Sequence, residues 1–316
     1  MAHTGMALLE LLPNVLRARD FHLYLEGGKR ITDLWRWGGR AVLGHKPPKV
    51  LAEMKNAAER GLFTPLPHPL QRRCIKALRE FFPARNFRLY RDESSLRRAL
   101  ADAGLITAAE ATAPLHDPAV APPFAATQGG GEPPKVSLWR PFLAAADGGD
   151  GSAADNSTVA LVPVLPCPLG PAVLALPPGA ETLFLPGVEI PFPPGVEIPF
   201  PPGDLIPPML LAAATRALHN LAAAVKTARA TRKSPNYPRV RKALSTARQA
   251  GQRTWVRRGI YISTVEPEIA GENYAVLFRR FLEGGFLIPP TPTEPLILPL
   301  SMSAGEESKL AQLLGG

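Results

Sequence analysis

Proline most constrains how this chain of 316 residues folds, because it is concentrated in one segment. Fifteen of the fifty residues from 159 to 208 are proline. Proline has no backbone N–H and holds φ near about −65°, so it interrupts helices and the interior of sheets. We therefore predict extended chain over most of this segment, with short strands where the prolines are further apart, as at 159–162.

The same prolines argue against a membrane span. Residues 158–180 are uncharged and mostly apolar, but six of them are proline, and a bilayer cannot replace the helical hydrogen bonds that proline removes. The amino-terminal residues lack a basic start and a small-residue cleavage site, so we expect no signal peptide. Cys74 and Cys167 show no zinc-like spacing and indicate a reducing compartment, which favours a cytoplasmic protein.

The middle of the chain is predicted to be irregular. Periodicity fades over residues 114–156, where glycine runs occur at 129–131 and 148–151, and we expect a poorly packed loop there. The octapeptide GVEIPFPP occurs twice in tandem, at 187–194 and 195–202. We interpret it as a duplication in a tolerant loop, and not as a polyproline ligand or a solenoid repeat.

Helical and strand patterns are clear towards both ends of the chain. Apolar and polar residues alternate on both sides of a Gly27-Gly28 turn, which predicts a β-hairpin over 21–35. Apolar spacing and breaker residues predict helices over 50–60, 69–82, 92–103, 204–231, 238–250, 273–283 and 303–314. Short strands are predicted at 87–90, 259–263, 286–288 and 296–298. Ser303 and Glu306 form a predicted capping box for the last helix.

One stretch, GGKRITDLWRWGGRAVLGHKPPKV at residues 27–50, resembles the opening of the class III aminotransferases. That family has an aspartate in the second hairpin strand, then a glycine segment, then a Gly-His-x-x-Pro-x-Val helix entry. The matching residues here are Asp33, Gly38, Gly39, Gly44, His45, Pro48 and Val50. Residues 278–310 are similar to the close of the glutamate-1-semialdehyde aminomutase branch, and 206–225 look like the family's long alanine-rich helix.

The resemblance implies an α/β fold of fold type I, with an aminotransferase-like small domain built from both chain ends and a reduced, Pro-rich α/β central domain. We predict that residues 1–86 and 252–316 form the small domain. Residues 87–203 are the reduced central region, and 204–251 are a basic helical connection. The central region is much shorter than the family's large domain, which carries a pyridoxal phosphate site.

The residues that the family uses for its cofactor have no clear counterparts. A Schiff base needs a lysine, and the pyridine nitrogen needs a carboxylate. The only lysine between 104 and 204 is Lys135, which we interpret as a surface residue. The family's phosphate-binding turn is replaced by Arg91-Asp92-Glu93-Ser94-Ser95, whose carboxylates repel phosphate. Ser94 and Ser95 remain weak candidates for cofactor contacts; ordinary first-turn serines are the preferred interpretation.

The leading hypothesis is thus a catalytically degenerate aminotransferase-like protein that binds or assembles without pyridoxal phosphate. We expect no cofactor, no metal and no catalytic residue, and a homodimer or an aminotransferase-like partner. Trp35, Trp37 and Trp139 are candidates for core or interface, with core preferred. The first alternative is a pyridoxal-phosphate-dependent aminotransferase or aminomutase with a divergent site.

The second alternative is a nucleic-acid-binding protein, based on the charge distribution. The formal net charge is +9, and residues 205–265 contain no Asp or Glu. The cations of the basic segment 226–258, with Arg239, Arg241 and Lys242 at its centre, could bind along a phosphate backbone. Three aromatic residues lie among or beside these cations and could stack on bases: Tyr237, Trp255 and Tyr261. A solvated face, or one that pairs with an acidic partner, is the preferred interpretation.

Overall fold

Strands and helices are interspersed along the residues that the computed structural model describes, which are 7–120, 134–143, 160–177, 182–183, 198–199, 201–231, 236–249, 255–264 and 272–315. The strands are β1 Val15–Arg19, β2 His22–Leu25, β3 Arg30–Asp33, β4 Asn86–Tyr90, β5 Val136–Trp139, β6 Ala160–Pro163, β7 Ala172–Leu176, β8 Thr182–Leu183, β9 Ile198–Pro199, β10 Trp255–Arg258, β11 Tyr261–Thr264, β12 Phe286–Leu287 and β13 Leu296–Ile297. The α-helices are α1 Val50–Glu59, α2 Leu70–Arg79, α3 Glu93–Asp102, α4 Pro208–Thr231, α5 Pro238–Gln249, α6 Glu272–Glu283 and α7 Ala304–Gly315.

The two chain ends meet in one sheet. Its order is β1-β2-β3-β12, and β12 pairs in parallel with β3 through Phe286 opposite Thr32 and Leu287 opposite Asp33. The predicted hairpin is therefore present, and its second strand receives a strand from about 250 residues later in the chain. Side chains from both ends form one apolar cluster, which includes Leu34, Phe278, Phe281, Ile288 and Leu298.

A second sheet, in the order β4-β7-β6-β5, carries the middle of the chain. All five residues of β7 are buried. Val173 and Ala175 pack in a cluster with α2 and α4, whereas Leu174 and Leu176 pack in a cluster with α3. Because successive side chains of a strand point to opposite faces, a strand covered on both faces reads as an uninterrupted apolar run.

The prediction of a poorly packed loop over 114–156 is wrong for the residues of that region that the structure describes. Val136 and Ser137 of β5 are buried, and Asp117 and Arg140 form a buried ion pair. The sequence pattern did not predict this packing, because a strand of four residues and a buried ion pair produce no repeating apolar pattern. The predicted strand at 159–162 corresponds to β6, while most of the tandem octapeptide lies outside the described residues.

Arg36 ties the amino-terminal hairpin to the carboxyl-terminal segment. Its side chain is completely buried and donates to the carbonyl oxygens of Asp33 at 3.2 Å, Val42 at 3.3 Å and Ile297 at 2.9 Å. The guanidinium also lies 4.5 Å from the ring centroid of Phe21. Burial lowers the pKa of Arg36 to about 10, so the group still carries its charge at neutral pH, where it needs all of these partners.

Replacing Arg36 with Met should strongly destabilise the protein. The substitution keeps most of the side-chain length but leaves three buried carbonyls without their donor, a loss of about 3–5 kcal/mol in the free energy of unfolding. Urea denaturation followed by circular dichroism measures it. The matched control is Arg19→Met, because Arg19 is exposed; a comparable loss in both variants would contradict the role assigned to Arg36.

Glu306 is a second point of contact between the ends. As predicted, it forms a capping box with Ser303, whose hydroxyl and backbone N–H donate to Glu306 Oε2 at 2.7 Å and 3.0 Å. Its other oxygen, Oε1, lies 2.7 Å from His22 Nε2 and 3.4 Å from Arg30. Burial opposes ionisation, but the bonds from Ser303 and His22 outweigh it and lower the pKa of Glu306 to about 2.

This pKa shift predicts a pH-dependent contribution to stability. A carboxyl group whose pKa falls from 4.5 to about 2 on folding stabilises the protein above pH 4.5, and the contribution disappears as the pH falls towards 2. Glu306→Gln should therefore cost about 1–2 kcal/mol at pH 7, allowing for solvent screening, and progressively less in acid. Urea midpoints between pH 7 and pH 3 test this, with the exposed Glu10→Gln as control. A cost that does not change with pH would refute it.

Candidate functional site

The turn between β4 and α3 is the place where the sequence puts its candidate cofactor contacts. Asp92 has extended backbone angles and caps α3, because its Oδ1 accepts a hydrogen bond from the backbone N–H of Ser95 at 2.7 Å. This bond is the main cause of the lowered pKa of Asp92. Ser94 is exposed and Ser95 is half-buried. The helix start is thus satisfied by a carboxylate of the chain itself.

A second carboxylate closes the same turn. Asp204 Oδ2 accepts from the backbone N–H of Arg91 at 2.9 Å, and the Asp204 N–H donates to the carbonyl oxygen of Leu89 at 2.8 Å. Gly203 allows this approach, since a Cβ there would lie only 2.6 Å from the Leu89 oxygen. The segment that enters α4 is therefore fastened along the end of β4.

The loop after β3 presents two tryptophans. Arg36, Trp37, Gly38 and Gly39 all have positive φ, from 49° to 103°. Asp33 supports this turn by accepting from the backbone N–H groups of Trp35 and Arg36 at 2.8 Å and 2.9 Å. Trp37 is 59% exposed, and its ring centroid lies 5.4 Å from that of Trp35. Left-handed backbone in non-glycine residues is costly and often marks functional sites.

Glu294 contacts one of these two tryptophans. Its Oε2 accepts from the indole N–H of Trp35 at 2.6 Å. Burial raises the pKa of Glu294, and the charges of Glu93 and Asp117 raise it further, while the Trp35 bond and Arg140 oppose the shift. Through this bond Glu294 joins the Trp35 indole to the carboxyl-terminal segment of the chain.

Arg140 fastens the tryptophan loop to the middle of the chain. It pairs with Asp117 through contacts of 2.7 to 2.9 Å to both carboxylate oxygens and donates to the Gly38 carbonyl at 2.7 Å. Burial alone would lower the pKa of Arg140, but Asp117 outweighs this effect and the pKa is raised. A side chain at Gly39 would clash with Arg140 Nη1, since a Cβ would lie 2.8 Å away.

In the described residues of the basic segment 226–258, the aromatic side chains do not lie on a cationic surface. Tyr237, Trp255 and Tyr261 are all buried, so they are not available to stack on bases. Arg239 donates to the Ala304 carbonyl and to Ser308, and Arg258 donates to the Pro118 carbonyl. Arg241 and Lys242 are exposed on α5. Part of the charge in this segment therefore holds α7 and the 117–119 turn in place.

The described residues lack two further features, a metal-binding cluster and a membrane-spanning helix. No group of three or more His, Cys, Asp or Glu side chains is arranged to hold a metal ion there. None of the described helices has both the length and the apolar composition required to cross a membrane.

Comparison with solved structures identifies the fold. An omega-transaminase from Sphaerobacter thermophilus superposes with a TM-score of 0.59 at 14% identity, over 99% of this chain and 96% of that one. The acetylornithine aminotransferase from Elizabethkingia anophelis gives 0.56 at 12% identity, over 95% and 92%. The Toxoplasma gondii ornithine aminotransferase, with pyridoxal phosphate at partial occupancy in its active site, gives 0.55 at 14%, over 99% and 93%. The chain has the fold of pyridoxal-phosphate-dependent aminotransferases.

Sequence comparison adds relatives without a stated activity. An uncharacterized protein of Treponema pallidum (strain Nichols) is 28% identical over 304 residues, which is 90% of this chain and 88% of that protein. An uncharacterized protein of Borreliella burgdorferi is 36% identical over 77 residues, covering 24% of this chain and 29% of its own. No protein-family model matches the chain.

At the turn between β4 and α3, carboxylates of the chain occupy the position that the resemblance gives to the phosphate of pyridoxal phosphate. The N–H groups of Arg91 and Ser95 bond Asp204 and Asp92, an arrangement that does not favour a phosphate dianion there. A Schiff-base lysine must sit in a pocket that lowers its pKa. Every lysine in the described residues is exposed, including Lys135 at the start of β5.

The structure confirms some of the residues singled out from the sequence and adds others. Asp92 caps α3 as predicted, and Trp139 packs against Phe81 and Phe82, as expected for a core residue. The preference for core is wrong for Trp37, whose side chain is 59% exposed. Sequence reasoning missed Glu294, since nothing local in TPTEPL signals a bond to an indole 259 residues earlier.

Removing the Asp92 cap should weaken α3. Asp92→Ala leaves the Ser95 N–H without its acceptor and should cost about 1 kcal/mol of stability, whereas Asp92→Asn retains an oxygen acceptor and should cost less. Thermal unfolding measures both changes. Asp102→Ala, at the opposite end of α3, is the matched control and should be neutral or slightly stabilising, because a negative charge there opposes the helix dipole. Equal losses at both ends would contradict the capping role.

Proposed function

We propose that this protein binds or assembles with partners and does not perform pyridoxal phosphate chemistry. In this proposal it is a catalytically degenerate member of the aminotransferase fold. The observation that carries it is the α3 turn, where Asp92 and Asp204 bond the backbone N–H groups of Ser95 and Arg91. The carboxylates act as internal substitutes for an external anion, so bound phosphate would have to displace them and meet their charge.

The described lysines support the same proposal. The cofactor reacts with an unprotonated amine, and enzymes obtain one at neutral pH by burying a lysine or placing it beside another cation. Lys135 lies in the central region that the resemblance assigns to the cofactor domain, yet it is exposed at the start of the sheet-edge strand β5. It has the setting of a surface residue.

We further propose that the chain derives from the class III branch, close to the glutamate-1-semialdehyde aminomutases. The motif at 27–50 keeps its physical function here. Asp33 supports the turn that leads to Gly38 and Gly39, and it lies 2.9 Å from His45 Nε2, an ion-pair distance without hydrogen-bond alignment. Gly44 has a φ of 95°, and a Cβ there would lie 2.8 Å from the Asp20 carbonyl oxygen.

The partner in this proposal is a second copy of the chain or an aminotransferase-like relative. The aminotransferases that share the fold form dimers, and Trp37 offers an exposed aromatic side chain next to Glu294. Exposed aromatic residues beside partly buried polar groups are characteristic of protein interfaces. We expect the purified protein to run as a dimer in multi-angle light scattering.

Absorbance spectroscopy tests the absence of pyridoxal phosphate chemistry. Purified protein incubated with the cofactor, dialysed and scanned should show no band near about 400 nm, and borohydride should fix no cofactor to the chain. Lys135→Ala is the matched variant. A band in the wild type that disappears in this variant would refute the proposal and establish the divergent-enzyme alternative with Lys135 as its lysine. A band that persists would refute the proposal through another lysine.

A further inference from the structure

An open groove of about 850 Å³ lies between β1 and the start of α1. It is lined by Arg17, Ala18, Arg19 and Asp20 from the strand side, and by Lys46, Pro47, Pro48, Lys49, Leu51, Ala52 and Lys55 from the helix side. Five of these side chains are cationic and one is acidic. The groove is on the outer side of the amino-terminal hairpin and does not include the α3 turn or the tryptophan corner.

The positive charge of this groove is almost unpaired within the described residues. Asp20 lies 3.5 Å from Arg19, in a pair with both side chains more than 60% exposed, and such pairs neutralise little. Arg17 stacks 4.9 Å from the ring centroid of Tyr24, which orients it without neutralising it. The three lysines have no carboxylate of the described chain within ion-pair distance. A partner with several negative charges would therefore meet a complementary surface.

Within the described residues, the strand beside the groove is the edge of its sheet. β1 is the terminal strand of the order β1-β2-β3-β12, and all five of its residues are exposed, including Leu16 at 71%. An edge strand presents backbone N–H and C=O groups that another extended segment can pair with. Proteins that recognise peptides often use such an edge, with side-chain specificity at alternate positions.

We propose that this groove binds an acidic, extended peptide segment of a partner protein, which pairs along β1. Arg17 and Arg19 are two residues apart, so they lie on the same face of the strand at a spacing of about 7 Å. Carboxylates at every second position of an added strand have the same spacing and point to the same face. Leu51, Ala52 and the two prolines supply apolar contact for the residues in between.

The lining distinguishes a peptide from a nucleic acid. Single-stranded nucleic acids bind grooves that combine cations with aromatic side chains on which bases stack. None of the residues that line this groove is aromatic. Charge alone would attract both kinds of partner, but the N–H and C=O groups along a strand edge have the regular spacing that an extended peptide backbone matches.

Fluorescence anisotropy with synthetic peptides tests the proposal. The probe is a labelled peptide of about ten residues that alternates Glu and Thr, and its neutral counterpart alternates Gln and Thr. The acidic peptide should bind, and the neutral one should bind at least about tenfold more weakly. Arg17→Glu/Arg19→Glu should also lose about tenfold or more, whereas the matched control Arg72→Glu/Arg73→Glu, on the exposed side of α2, should bind normally.

Backbone methylation separates strand pairing from charge attraction alone. Peptides N-methylated at every second nitrogen, in each of the two registers, should behave differently, because only one register removes the N–H groups that face β1. The proposal would be overturned if both methylated peptides bound equally well, or if the two charge variants lost the same affinity. It would also be overturned if an oligo-dT of about twelve nucleotides bound more tightly than the acidic peptide. Unchanged circular dichroism of both variants shows that folding is not the cause.

This inference rests on the binding role proposed above and states the chemistry of the partner, an acidic extended peptide. The two remain separable by experiment. Cofactor bound to a lysine together with normal peptide binding would refute the proposed loss of chemistry and leave the groove standing. A colourless protein that does not bind the acidic peptide would refute the groove alone.

Discussion

The buried guanidinium of Arg36 connects the amino-terminal turn with β13, 261 residues further along the chain. Its three acceptors come from the β3 turn, from the following loop and from β13. A charge without exposure to water persists only with such a complete set of partners. The Arg36 side chain is therefore satisfied only when both chain ends are in place, which couples their packing.

The same turn determines what is presented to solvent. Asp33 holds the backbone of Trp35 and Arg36, the chain passes through four residues with positive φ, and Trp37 emerges on the surface. Arg140 donates to the carbonyl of Gly38 and forms an ion pair with Asp117, so it links this turn to the middle of the chain. An ion pair that is buried and bidentate fixes orientation more than it adds stability.

The turn between β4 and α3 is closed by carboxylates of the chain itself. The strand-turn-helix unit from β4 to α3 has the geometry that receives an anion in many folds, yet its N–H groups bond Asp92 and Asp204. A cationic surface lies instead in the groove beside β1. None of the residues that line this groove belongs to the turn between β4 and α3.

The sequence by itself determined the local elements, because their signals lie within a few residues of one another. The hairpin at Gly27-Gly28, the Asp92 cap and the Ser303–Glu306 box are set by backbone conformations and short-range hydrogen bonds. The motif at 27–50 also led to the fold. Only the tertiary structure decided that Trp35 meets Glu294, that Asp117 pairs with Arg140 across a region without periodicity, and that the aromatics of the basic segment are buried. Those contacts join residues far apart in the chain, and their energies depend on distance and burial in space, which no local pattern encodes.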